Sequence, residues 1–172
     1  MRNGITGQPI PAHLNLVFAY EIETGCTVPP TFSPILAYAI KVCETDQTDP
    51  ADVIEKGADL TTMLMPNGSP AGRGLFQLSS SWPANWKDPM MSTMYAIAHF
   101  LYPAEMFWSS SYGMQGDNLV RCIAAEYNAG RSGALSGHAR GDVGTFTTRQ
   151  DGKNYSDECL SYYHNLEKGL AP

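Results

Sequence analysis

Ser33-Pro34-Ile35-Leu36-Ala37-Tyr38-Ala39-Ile40-Lys41-Val42-Cys43-Glu44-Thr45 reads as a helix with an acid at its foot. Ser33 is a capping residue type, and Pro34 suits the first helical position, where its missing N–H would have had no partner. Ile35, Leu36, Ala39, Ile40 and Cys43 then recur at i, i+1, i+4, i+5 and i+8, one apolar face of an α-helix. The spacing predicts an amphipathic helix that delivers Glu44 near its C-terminal end. Two readings of that acid are open from its neighbours alone. It is a solvated charge in a polar helix terminus, or it is a carboxyl desolvated beside Val42 and Cys43, with its pKa raised for proton transfer.

Working outward, residues 1–32 combine Gly4, Gly7, Pro9, Pro11, Gly25, Pro29 and Pro30 with one short apolar run, Leu14 to Tyr20, and are expected to wrap irregularly around the core. That run is interrupted by Asn15 and followed by Glu21 and Glu23, so it reads as a core element and not as a secretion signal. Downstream, Asp46, Asp49, Pro50, Gly57, Pro66, Gly68 and Pro70 punctuate residues 45–73, with a short helical piece expected between Ala51 and Met65. Gly74-Leu75-Phe76-Gln77-Leu78-Ser79 is short, apolar and flanked by turn formers, which predicts a small strand or hairpin.

Asp88 and Pro89 open a further helix, in which Met90, Met94, Ile97, Ala98 and Leu101 form a face widened by Met91, Tyr95 and Tyr102. So broad an apolar surface predicts the central, buried helix. Asp117 or Asn118 caps the next helix, which runs through Leu119, Cys122, Ile123 and Tyr127 to a stop at Gly130. Gly133 to Gly144 reads as turn-rich, and Asn154 to Lys168 as a last helix burying Tyr155, Cys159, Leu160, Tyr163 and Leu166. No internal repeat or low-complexity segment interrupts this order.

A chain of 172 residues with 43% apolar and 16% charged residues is expected to be ordered around one core, as a single domain spanning 1–172 with its core at 33–168. Its net charge of -6 and pI near 5.1 argue against a nucleic-acid partner, because phosphate binding needs clustered Lys and Arg. The same charge opposes encounter with an anionic surface at low salt, which Arg73, Arg121, Arg131 and Arg140 can offset locally. No stretch offers the roughly 20 apolar residues of a membrane span. Cys26, Cys43, Cys122 and Cys159 allow two disulfides in any of three connectivities, or remain as buried thiols. None belongs to a CxxC pair, and His13, His99, His138 and His164 are scattered, so no metal is expected.

Three motifs carry the chemistry: Glu44-Thr45, the Gly74 to Ser79 turn, and Glu126-Tyr127-Asn128-Ala129-Gly130. A lone Glu, a Gly-Leu-aromatic-Gln turn and a Tyr-Asn-Ala-Gly helix end, in that order, resemble the soluble lytic transglycosylases and goose-type lysozymes. Asp142-Val143-Gly144-Thr145, Asn154-Tyr155 and Tyr162-Tyr163 look like the C-terminal part of the goose-type lysozymes in particular. The resemblance covers about Ser33 to Leu166. It implies a predominantly helical α+β fold, a lysozyme-like single domain with a small β-hairpin beside the substrate groove. It also implies activity on peptidoglycan glycan strands, with Glu44 as general acid and base and no cofactor.

By the same resemblance Leu75, Phe76, Gln77, Tyr127, Asn128 and Tyr155 bind substrate. Backbone around Leu75 and Phe76 and the Gln77 amide line the cleft, Tyr127 lies beside the acid, Asn128 reaches the sugar, and Tyr155 closes the site. An amide suits that place because it donates and accepts at once, as sugar hydroxyls and acetamido groups require. Several residues also have a plainer reading: core packing for Phe76 and Tyr155, a helix C-cap for Gly130, and solvated charges for Asp46, Asp59 and Glu126.

The departures are informative. The family's Glu-Ser is Glu44-Thr45 here, its Met is Phe76, and the Ala before its Tyr is Glu126. Goose-type lysozymes carry an Asp where this chain has Ser79, leaving Asp46, Asp59 and Glu126 as candidates for a second acid. An inverting hydrolase needs that second carboxylate, about 6.5–9.5 Å from the first, whereas a transglycosylase uses the substrate's own acetamido group and C6 hydroxyl. The expectation is therefore a lytic transglycosylase, with a goose-type muramidase and a catalytically silent wall-binding or virion component as alternatives. A monomer acting in the periplasm or outside the cell is expected, phage-encoded or delivered by another system.

Overall fold

A computed structural model of the chain describes residues 32–45, 72–74, 76–87, 89–141 and 154–168. Helix α1 (Pro34–Thr45) begins where Ser33 and Pro34 predict, and the Leu36 N–H closes its first turn on the Ser33 carbonyl at 3.0 Å. It differs from the expected amphipathic helix in one respect: every residue from Ile35 to Cys43 is buried, Lys41 included. Leu36, Ala37, Ile40 and Cys43 enter the main core, while Ile35, Tyr38, Ala39 and Val42 pack around Leu166. A helix apolar on all sides belongs inside, and α1 has the all-round burial expected from sequence of the helix after Pro89, whose Met91, Met94 and Tyr95 are half-buried. Lys41 keeps its ammonium 5.0 Å from the Tyr38 ring centroid, a cation–π contact one turn away.

Helix α2 (Pro89–Ala96), a π-helical turn (Ile97–Leu101) and α3 (Tyr102–Tyr112) follow one another without a break. The π turn, closed by the Tyr102 N–H on the Ile97 carbonyl, lies just ahead of Pro103, which has no N–H to donate and would collide with the carbonyl four residues back. The wider turn moves the apolar stripe: Ile97, Leu101, Ala104 and Trp108 are buried, whereas Ala98 is exposed instead of facing the core. Gly113, at φ 63°, ends α3 in a left-handed cap, and the Met114 N–H reaches the Trp108 carbonyl at 3.1 Å.

Helix α4 (Gly116–Ala139) contains the predicted stop at Gly130, whose φ 71° and ψ 164° are non-helical. A second helical run resumes at once and continues to Ala139, where the glycine count predicts turns. Burial of Ala134 and Gly137 outweighs the weak helix propensity of the glycines there. Helix α5 (Tyr155–Glu167) is capped by Asn154, whose side chain accepts from the Asp157 N–H at 3.1 Å. It buries Tyr155, Cys159, Leu160 and Leu166 as read from the sequence, and leaves Tyr163 half-buried.

α1 packs on α5, α5 on α4, and α4 on α3, so the described residues are predominantly helical. Trp108, fully buried, pins α3 to α4 through a 2.9 Å hydrogen bond from its Nε1 to Glu126 Oε2. The expected hairpin is reduced to a single rung: Arg73 and Leu78 exchange backbone hydrogen bonds of 3.1 and 2.9 Å around a tight turn. No strand forms among the described residues. Cys43 and Cys159 form a disulfide, their Cα atoms 6.0 Å apart, and Cys122 is a buried free thiol. Among the described residues no helix is long and apolar enough to cross a membrane.

Candidate functional site

The end of α1, the Gly74 to Ser80 turn and the middle of α4 meet at a groove of about 380 Å³. Glu44, Gln77, Leu78, Ser79, Ser80, Phe100, Glu126, Tyr127, Asn128, Ala129 and Gly130 line it. Glu44 is half-buried, at the point where α1 passes out of the core. Tyr155, at the first turn of α5 and itself buried, donates its hydroxyl to Glu44 Oε1 at 2.5 Å. A phenol that donates to a carboxylate stabilises its ionised form.

Tyr127 crosses the groove floor and donates to the Phe76 carbonyl at 2.5 Å, tying α4 to the turn. Burial, and then the neighbouring charge of Glu44, holds its phenol well above the ordinary tyrosine range, so it stays a neutral donor. Phe100, from the π turn, meets the Tyr127 ring edge to face at 5.9 Å. The turn itself is shaped by two backbone conformations. Gly74 lies at φ 68°, where a Cβ would come within 2.8 Å of the Trp86 carbonyl, and Gln77 is left-handed at φ 46°. Gln77 Nε2 donates to the Gly74 carbonyl at 2.9 Å, which holds the turn while the residue still lines the groove.

Of the residues singled out from sequence, Glu44, Gln77, Tyr127 and Asn128 line one groove, and Tyr155 is bonded to the acid. Asn128 is exposed there, with Ser79 and Ser80 beside it. Phe76 takes the plainer of its two readings: its side chain is in the core, and its carbonyl receives Tyr127. Glu126 reaches the groove wall, but both its oxygens are engaged. Oε2 accepts from Trp108, and Oε1 lies 2.7 Å from Arg131 Nη2 and 3.0 Å from its Nε. Leu75, Asp46, Asp59 and the Asp142 to Thr145 stretch lie outside the described residues.

Sequence reading passed over Phe100 and Ser80. Phe100 falls off the expected apolar face because the π turn rotates it toward Tyr127, and a π turn leaves only the Pro103 signal in the sequence. Ser80 stands next to the Ser79 position that drew attention for lacking a carboxylate. Arg131 also acquires a role, stacking its guanidinium 4.2 Å from the Phe107 centroid while pairing with Glu126. Among the described residues no group of three or more His, Cys, Asp or Glu side chains could hold a metal ion.

No protein-family model, curated protein or solved structure matches the chain. The functional reading therefore rests on the groove and its residues.

Chemically, the groove offers one carboxyl steadied by a phenol, a neutral half-buried tyrosine, an exposed amide and two hydroxyls. Amide and hydroxyl groups match the hydrogen-bonding needs of a neutral polyol, and aromatic side chains match the C–H faces of its rings. An acid so placed can give a proton to a leaving oxygen and take one back.

Proposed function

We propose that the chain is a lysozyme-like peptidoglycan lytic transglycosylase, cleaving the β-1,4 bond between N-acetylmuramic acid and N-acetylglucosamine with Glu44 as its single acid and base. One observation carries the reading: three stretches far apart in sequence supply Glu44, Gln77 and Tyr127-Asn128 to the same groove, with Tyr155 bonded to the acid. This is the grouping that the resemblance to lytic transglycosylases and goose-type lysozymes implies.

In this mechanism Glu44 protonates the glycosidic oxygen as its bond to the muramoyl C1 breaks, and the muramoyl acetamido oxygen bonds to C1 in its place. Glu44, now a carboxylate, accepts the proton of the C6 hydroxyl. That oxygen displaces the acetamido group from C1, giving a 1,6-anhydromuramoyl end and restoring protonated Glu44. The Tyr155 hydroxyl stabilises the carboxylate between the two transfers. No water is consumed, and no second carboxylate is required.

Glu126 is the observation that favours a muramidase as the second reading, because it lines the groove that holds Glu44. Its engagement by Trp108 and Arg131 weighs against a role in activating water. Replacing Glu44→Gln is expected to lower turbidity loss on purified peptidoglycan by about a hundredfold or more while the circular dichroism stays unchanged. Undiminished lysis by the folded variant would sink the proposal. Mass spectrometry of the released fragments separates the mechanisms: anhydro ends support transglycosylation, and reducing ends alone indicate hydrolysis. Binding to the wall without any released muropeptide indicates the silent component instead.

A further inference from the structure

Two of the links between the helix carrying Glu44 and the helix carrying Tyr155 lie at the acid itself. One is the hydrogen bond from the Tyr155 hydroxyl to Glu44 Oε1 at 2.5 Å. The other is the disulfide between Cys43 and Cys159, with Cα atoms 6.0 Å apart. Cys43 immediately precedes the acid, and Cys159 lies one helical turn beyond Tyr155 on the same face of α5. The covalent link is therefore adjacent to the functional hydrogen bond on both helices.

We propose that the Cys43–Cys159 disulfide is a redox-controlled positioning device for Glu44: its oxidation clamps the end of α1 against α5 so that Tyr155 meets the acid, and its reduction releases the clamp and lowers activity. The proposal rests on Glu44 being the catalytic acid of the preceding section.

The need for a clamp follows from where Glu44 sits. Residues Ile35 to Cys43 are buried, whereas Glu44, which follows them, is half-buried. The last turn of a helix has carbonyls without intrahelical partners and frays readily. Apolar packing thus holds α1 through Cys43, and Glu44 extends beyond that packing to meet Tyr155. Misplacing a catalytic group by about 1 Å costs on the order of a hundredfold in rate, so a tether at the neighbouring residue acts where precision matters. The same apolar packing of α1 on α5 gives the fold support that does not depend on the bond.

The exchange chemistry balances with a low-molecular-weight disulfide as oxidant. Cys43 and Cys159 together give up two electrons and two protons as their S–S bond forms, and the oxidant's S–S bond is reduced to two thiols. A dithiol such as dithiothreitol reverses the step and is itself oxidised to the cyclic disulfide. A reducing compartment holds the thiol form and an oxidising one the bonded form, so wall cleavage becomes coupled to arrival outside the reducing compartment. Cys122 does not compete. It is buried in α4, and burial followed by the charge of Glu126 pushes its thiol up to about 11, leaving little nucleophilic thiolate.

The test uses the full chain carrying Cys26→Ala and Cys122→Ala, so that only Cys43 and Cys159 remain. It is oxidised with oxidised glutathione or reduced with dithiothreitol, with thiols counted by alkylation and mass spectrometry and folding followed by near- and far-UV circular dichroism. Lysis of purified peptidoglycan is measured in both states, together with the pH titration of the Tyr155 ring by NMR, assigned by Tyr155→Phe. The expected result is a folded reduced protein with kcat lower by about tenfold or more and apparent KM within about twofold, fully recovered on reoxidation. The Tyr155 signal should follow the ionisation of Glu44 only in the oxidised state.

Equal kcat in the two states, two alkylated thiols after oxidation, or unfolding on reduction would each overturn the proposal, the last by assigning the bond to stability alone. Absence of lysis from the oxidised protein refutes the proposed enzyme and leaves the NMR titration to decide the clamp. A Tyr155 signal unchanged by reduction then overturns it, and a signal uncoupled from Glu44 upholds it.

Discussion

Glu44 and Tyr155 are 111 residues apart in the chain and 2.5 Å apart at the hydroxyl and carboxylate. A hydrogen bond to a charged group contributes about 1.5–3 kcal/mol, so replacing Tyr155→Phe should lower kcat on peptidoglycan by about ten- to a hundredfold. It should also raise the pH at which Glu44 gives up its proton, because the lost donor favoured the carboxylate. A pH–rate profile of the variant reads both effects. An unchanged profile would remove Tyr155 from the mechanism.

Tyr127 yields a separate prediction, in stability. Its hydroxyl satisfies the Phe76 carbonyl, and Tyr127→Phe leaves that acceptor without the phenol at a cost of about 1–3 kcal/mol, measurable by urea denaturation. The folded phenol has its pKa raised by burial and then by Glu44, whereas the unfolded one titrates near 10. The raised folded value means that the stabilisation is complete below the unfolded pKa and is lost as pH climbs through the folded one. Stability of the wild type should therefore decline above about pH 10, and Tyr127→Phe should show a shallower decline.

On the scale of elements, two backbone interruptions shape the groove. The π turn before Pro103 turns Phe100 onto Tyr127, and Gly130 ends the first half of α4 at the groove's edge. Gly130 sits at φ 71° and ψ 164° with open space around it, so a side chain there meets no neighbour and the whole cost is conformational. That region is nearly closed to residues with a Cβ. Gly130→Ala should destabilise the chain by about 1–3 kcal/mol in thermal or chemical unfolding, and should disturb sugar binding more than the chemistry of Glu44. A neutral Gly130→Ala variant would mean that the two halves of α4 join differently.

α1 shows how element-scale reading can succeed in kind and miss in degree. Its start, its length and the position of Glu44 follow from Ser33, Pro34 and the apolar spacing. The spacing selects one face, but Ala37, Tyr38 and Val42 on the other faces are as apolar as those chosen, and burial all round is the outcome. The hairpin at Gly74 to Ser79 likewise survives as one rung, because Gln77 turns its amide back onto Gly74 and spends the strand's length on the turn.

For the molecule as a whole, charge is the property that bears on encounter with its proposed substrate. A net charge of -6 facing an anionic wall produces repulsion that extends about 30 Å at 0.01 M salt and about 8 Å at 0.15 M. The initial lysis rate should therefore rise with ionic strength across that range, measured by turbidity on purified peptidoglycan. A rate that falls instead would indicate that local cations such as Arg73 and Arg140 govern docking.

What the sequence determined by itself is what local chemistry controls. Capping residues and apolar spacing specify α1 and α5, glycines specify the ends of α3 and of the first half of α4, and the three motifs contain Glu44, Gln77, Tyr127 and Asn128, which line one groove. Tertiary structure decided what depends on packing between distant segments. It buried α1 on every side, turned the Phe76 side chain into the core while its carbonyl received Tyr127, and engaged Glu126 with Trp108 and Arg131. It also chose Cys43 and Cys159 as partners from the connectivities that spacing left open. The physical reason is the same in each case: a side chain's partner across the core is selected by the relative placement of whole helices, and no residue's near neighbours encode that placement.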